Sequence, residues 1–158
     1  MTATVQEIIR MCAELAQDPE LIKINTADWI DWINDGQRNI CNARPDACVT
    51  TEAIPLTANT SKQTLPASRR RLLDLTRNMG AGGSTPGKAI RGPVPRETLD
   101  GFDPDWNITT GSYVKEFIYN PDDPKVFWIF PHLTTAWYVE ALLAKNPTIL
   151  MMLTLRPL

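Results

Sequence analysis

Histidine is the side chain most used for proton transfer and metal binding, and this chain of 158 residues has one, His132. It falls in a turn-like stretch, and no serine or cysteine signature accompanies it as a nucleophile. Cysteine is also scarce. Cys12, Cys41 and Cys48 form no CxxC pair, and metal sites want several suitably spaced ligands. An odd count without an export signal reads as reduced thiols in a cytosolic product. Residues 5–16 are periodic and carry Glu7, Arg10 and Glu14, so they form neither a signal peptide nor a membrane span. The formal net charge of −2 argues against a general nucleic-acid or membrane binder, while leaving local basic clusters open. No enzyme, metal or cofactor is expected from these residues.

Proline is present in quantity, 13 residues, crowded into the middle, so long loops are expected there. The length suits one domain with a core of its own. Val5, Ile8, Ile9, Cys12, Leu15 and Ala16 recur at helical spacing, which predicts an amphipathic helix over 4–17 with Cys12 as a packed hydrophobe. A second helix starts at Asn25 or Thr26 as cap and ends at Arg44, before Pro45. Gly36 costs about 1 kcal/mol inside it relative to alanine, so a close neighbour is expected there, either the first helix or another subunit. Trp29 and Trp32 share a broad face that reads as packing or interface.

Residues 49–65 read as strand, turn, strand, and Pro55 places this hairpin, with Leu56, at an edge or projecting. Arg69, Arg70 and Arg71 open a short turn followed by a strand. They read as a solvated face, an ion-pair partner or a DNA-phosphate contact. The heaviest apolar load is over 112–145, where three aromatic-rich runs (113–119, 126–130 and 136–143) predict an antiparallel meander. The middle run is apolar throughout and needs cover on both faces. The fold class that follows is α+β: an N-terminal helix pair (4–44) packed on a mainly antiparallel sheet (49–143), with a long Pro/Gly-rich loop over 79–111.

One motif points the other way. Residues 82–88, Gly-Gly-Ser-Thr-Pro-Gly-Lys, match the first seven positions of a phosphate-binding loop. Ala89 stands where a hydroxyl must hold Mg²⁺, and 90–95, with two prolines, cannot form the helix whose N-terminus would receive phosphate. A glycine-rich surface loop is the better reading, with a nucleotide-binding protein as the distant alternative. Asp100, Asp103 and Asp105 lack the glycine and distal glutamate of a calcium loop.

Several spaced segments together resemble the head-to-tail adaptor proteins of tailed bacteriophages, also called head-completion or connector proteins. They are Trp32-Ile33-Asn34-Asp35-Gly36-Gln37-Arg38, Arg44-Pro45-Asp46-Ala47, Arg77-Asn78-Met79-Gly80, Thr85-Pro86-Gly87-Lys88-Ala89-Ile90-Arg91, Pro104-Asp105-Trp106 and Trp137-Tyr138-Val139-Glu140. The resemblance covers about residues 25–145. It implies a structural virion protein, made in the host cytoplasm and placed at the portal vertex as a dodecameric ring. Such a ring sits below the portal protein, extends the DNA channel and offers tail or tail-nozzle proteins a docking surface. Another neck or tail-completion ring is the alternative.

On this reading Trp29, Trp32, Gly36, Pro55, Leu56, Trp106, Ile149, Leu150 and Leu153 are interface candidates. Arg69, Arg70 and Arg71 line the DNA channel, which passes DNA without sequence specificity, or meet the portal. The adaptor-like domain ends near 145. The apolar residues 149–155 depart from the resemblance, so 146–158 reads either as an arm laid along a neighbouring subunit or as the product of a shifted or truncated reading frame.

Overall fold

The computed structural model describes residues 4–150, which fall into two compact units: one holds residues up to Arg44 together with those from Pro147 on, the other Pro45–Asn146. The first unit begins with α1 (Val5–Leu15) and α2 (Thr26–Ala43). Thr4 caps α1 in a capping box, accepting from the Glu7 amide while the Glu7 carboxylate accepts from the Thr4 amide; two otherwise orphaned donors are satisfied. Asn25 caps α2 through the Asp28 amide, and Arg44 ends the helix before a 3-10 turn at Pro45–Ala47. Ile9 and Ala13 are the buried face of α1. Cys12 is only half-buried and is the free cysteine. Cys41 and Cys48 are disulfide-bonded, which corrects the expectation of three reduced thiols.

The second unit contains β1 (Val49–Leu56), β2 (Lys62–Thr64), β3 (Arg69–Gly80), α3 (Arg96–Phe102), β4 (Thr110–Gly111), β5 (Glu116–Tyr119), β6 (Val126–Phe130), β7 (His132–Leu133) and β8 (Trp137–Lys145). One antiparallel sheet has the order β1-β8-β3, another β2-β6-β5, and β4 and β7 form a short parallel pair. The fold is α+β with mainly antiparallel sheets, as the pattern of the sequence predicts. The main core collects Ile54, Leu72, Leu75, Val139 and Leu143 from the first sheet and Phe117, Phe127 and Ile129 from the second. Fully burying one such side chain contributes about 1.5–3 kcal/mol.

Two expected pairings are replaced by others. The 49–65 hairpin does not form: β1 pairs with β8 and β2 with β6, so the segments belong to different sheets. Gln63 is the cause nearest to hand. Its buried amide accepts from the Thr57 N–H and donates to the carbonyls of Thr57 and Thr60, closing a compact turn that sends the chain away from β1. The meander is right for β5 and β6 and wrong for its third strand. Pro131 has no N–H with which to continue a ladder, β7 joins β4, and β8 enters the other sheet between β1 and β3. Val139, Ala141 and Leu143 are wholly buried on β8, as a central strand requires. The arginine run, expected in a turn, opens β3 itself.

The expected two-sided cover of 126–130 is supplied within the unit. Phe127 and Ile129 face the main core, while Trp128 and Phe130 pack on a second cluster of Leu99, Trp106 and Ile118. Trp106 is fixed there by its indole N–H, which donates to Asp100 at 2.7 Å.

Candidate assembly surfaces

Interface candidates are useful only where their side chains are left outside, and the structure sorts them. Leu56 and Trp106 are core residues. Pro55 is exposed on β1, an edge strand whose one partner is β8. Trp29 and Trp32 meet edge to face with centroids 5.1 Å apart, and the Trp29 indole nitrogen is buried without a hydrogen-bond partner. Trp32 remains 53% exposed and Ile40 58%. Trp32, Gly36 and Ile40 recur every four residues, which puts them on one face of α2. A Cβ added to Gly36 would meet nothing within 4 Å. Among the described residues nothing fills that position, so α1 is not the expected neighbour and the other-subunit alternative stands; the glycine leaves a notch in an exposed apolar ridge.

At the other end of the first unit, Leu150 is held by the buried Asn34 side chain. Its amide donates to Asn34 Oδ1 at 2.9 Å, and its carbonyl accepts from Asn34 Nδ2 at 3.1 Å. Ile149 is exposed. Leu153 and the rest of the expected arm from 151 on lie outside the described residues.

Two of the three arginines, Arg69 and Arg71, are tied into the second unit. Arg69 donates through Nε and Nη2 to the two carboxylate oxygens of Glu52 at 2.6 and 2.5 Å. This two-point bond, more than any other influence, holds the Glu52 carboxyl below its ordinary range. Arg71 interacts with the Tyr119 hydroxyl, although burial is the larger effect there and pushes that phenol up. Arg71 Nε has no partner. Arg70 is also engaged. The run is therefore partly neutralised, as its ion-pair reading anticipates.

Sequence reasoning missed the residue that organises the loop after β3. Asn78 is buried at 2% exposure. Its Nδ2 donates to the carbonyls of Lys88 and Val114 at 2.9 and 2.8 Å, and its Oδ1 accepts from the Val114 amide at 2.9 Å and the Trp137 indole at 3.2 Å. The backbone of Asn78 exchanges further bonds with Gly87 and Lys88. The 82–88 motif is thereby accounted for. Its Gly87 amide and Lys88 carbonyl are spent on Asn78, the Lys88 ammonium lies 4.0 Å above the Tyr113 ring, and the next element is an isolated bridge from Ala89 to Arg77. The only sequence signal was the asparagine itself, in a strand where it is disfavoured.

His132 is buried on β7, its amide donating to the Thr109 carbonyl, and Nδ1 has no partner. No described helix is long and apolar enough to cross a membrane. The remaining large exposed apolar side chains of the second unit are Phe102, 81% exposed, and Ile108, 66% exposed.

No curated protein matches the chain. A sequence model for the family described as SU10 adaptor protein matches residues 3–154, a span that takes in the ridge on α2, the Asn78 loop and both sheets. The chain therefore belongs to the SU10 adaptor protein family, a family of phage head-tail adaptors.

Proposed function

We propose that the protein is a non-catalytic, ring-forming adaptor, twelve copies of which sit below the portal, extend the DNA channel and give tail proteins a surface to dock on. The observation that carries this reading, given the family, is the apolar ridge of Trp32, Gly36 and Ile40, left exposed among the described residues. A bare tryptophan and isoleucine flanking a notch are material for a protein contact, since buried aromatic anchors dominate interface energies. A cyclic ring uses two different patches on each subunit, and Ile149, with the arm expected over 146–158, supplies apolar surface at a second place. Arg69, Arg70 and Arg71 face the channel or the portal on this reading. Their partial neutralisation suits a lumen through which DNA must slide, because a strongly basic wall would hold phosphates.

Negative-stain imaging of the purified protein, alone and mixed with portal rings, tests the proposal. Closed rings that cap the portal are expected. Subunits that ignore portals and hydrolyse ATP would replace it with the nucleotide reading of residues 82–88.

A further inference from the structure

Two surface features, one in each unit, are an exposed apolar tip and an apolar groove with a single charged lining residue. The first is a protrusion. Phe102 ends α3 and Ile108 follows six residues later, both bare, on a segment whose shape is fixed from within. Trp106 anchors it in the core, and Asp103 accepts from the Asp105 amide and the Thr109 hydroxyl. Four carboxylates, Glu97, Asp100, Asp103 and Asp105, accompany the two apolar tips in this stretch against one cation, Arg96. A greasy knob with an acidic collar results.

The second feature is a groove of about 210 Å³ between α1 and the 19–26 segment, lined by Ile9, Ala13, Pro19 and Leu21, with Arg10 its one charged lining residue. The Arg10 side chain is 73% exposed, 4.0 Å from Glu14, and its charge also acts on Glu7. The groove has a built wall. Gln17 and Leu21 have φ of +55° and +53°, a region branched side chains avoid. Asp18 holds this shape by accepting from the amides of Ile22, Lys23 and Ile24, each at 2.9 Å. Gln17 is also the left-handed residue that stops α1, its amide bonded to the Glu14 carbonyl and the Asp18 amide to that of Ala13.

We infer that the Phe102/Ile108 knob of one copy seats in the Arg10 groove of the next. The inference rests on the ring reading above and adds to it a further contact between neighbouring copies. A dry cavity of about 150 Å³ already holds a benzene ring, so 210 Å³ admits the Phe102 side chain. Asp105, whose carboxylate is exposed, then faces Arg10 at the rim. Knob and groove are different surfaces, as the head-to-tail contact of a ring requires.

The test uses the full chain in sedimentation velocity over a concentration series, with and without portal rings. Phe102→Asp, Arg10→Asp and Asp105→Arg alter exposed side chains, so circular dichroism and melting should match the wild type. Each is expected to raise the concentration needed for assembly at least about tenfold, as loss of one anchor does, and the Arg10→Asp/Asp105→Arg double variant is expected to recover most of the loss. If wild type and Phe102→Asp assemble alike, this contact is wrong and the ring reading stands. Loss in both charge variants without recovery in the double variant overturns the pairing of these two patches. A wild type that never assembles, even on portals, removes the ring and the contact together.

Discussion

Asn78 fills its hydrogen-bonding capacity with partners 10, 36 and 59 residues away. That separation explains why its role was invisible in the sequence: an asparagine in Arg-Asn-Met-Gly looks like a turn former, and nothing local announces four bonds to three distant residues. Replacing it with alanine strands the Val114 amide and the Trp137 indole N–H in the interior. At roughly 1–3 kcal/mol per buried unsatisfied group, Asn78→Ala should lose about 3 kcal/mol of stability in urea unfolding, with leucine no better. Asp18 offers a different test. Its carboxyl is held below the ordinary range, chiefly by the Ile24 amide, so its contribution to stability is present above the unfolded value of about 3.9 and is lost as pH falls through the lower, folded one. Asp18→Asn should therefore be less stable than wild type at pH 7, with the gap closing on acidification below about pH 4. A gap that stays constant from pH 7 to pH 2 would show that the charge of Asp18 is irrelevant to the loop.

Helices were the most legible elements, because their signals lie within a few residues of each other. The Thr4 and Glu7 pair, the Asn25 cap and Pro45 mark three of the four ends of α1 and α2. The β5–β6 hairpin was legible for the same reason, with 120–124 supplying its turn. Strand partners separated by long chain segments were not, since alternation says which face is buried and nothing about which strand lies alongside. Two glycines test this level. Gly36 has open space around it, so Gly36→Ala should raise the stability of the isolated subunit by about 1 kcal/mol, read as a higher melting midpoint. Gly92 has φ +150°, and a Cβ there would fall 2.6 Å from the Phe117 ring. Gly92→Ala combines a strained backbone with overpacking and should cost about 2–4 kcal/mol by the same measurement.

For the whole subunit, surface identity was legible only in part. Trp32 and Gly36 could be picked out by residue type, but Leu56 and Trp106 have the same character and lie inside, since burial is decided by the packing of distant strands. Trp32→Asp separates assembly from folding. The side chain is 53% exposed, so unfolding free energy should move by little, about 0.5 kcal/mol, while attachment to portal rings in pull-down should fall at least about tenfold. Normal attachment by this variant would move the portal or ring contact off α2. The place of β8 between β1 and β3 has a further consequence, for how the subunit comes off the ribosome. Translation delivers the two outer strands first and the strand that joins them last. Until β8 has been made β1 and β3 lack their shared partner, and the sheet can close only after Lys145 has emerged. Nascent chains stalled before Trp137 should leave β1 and β3 open to protease, and those released past Lys145 should become resistant there in one step.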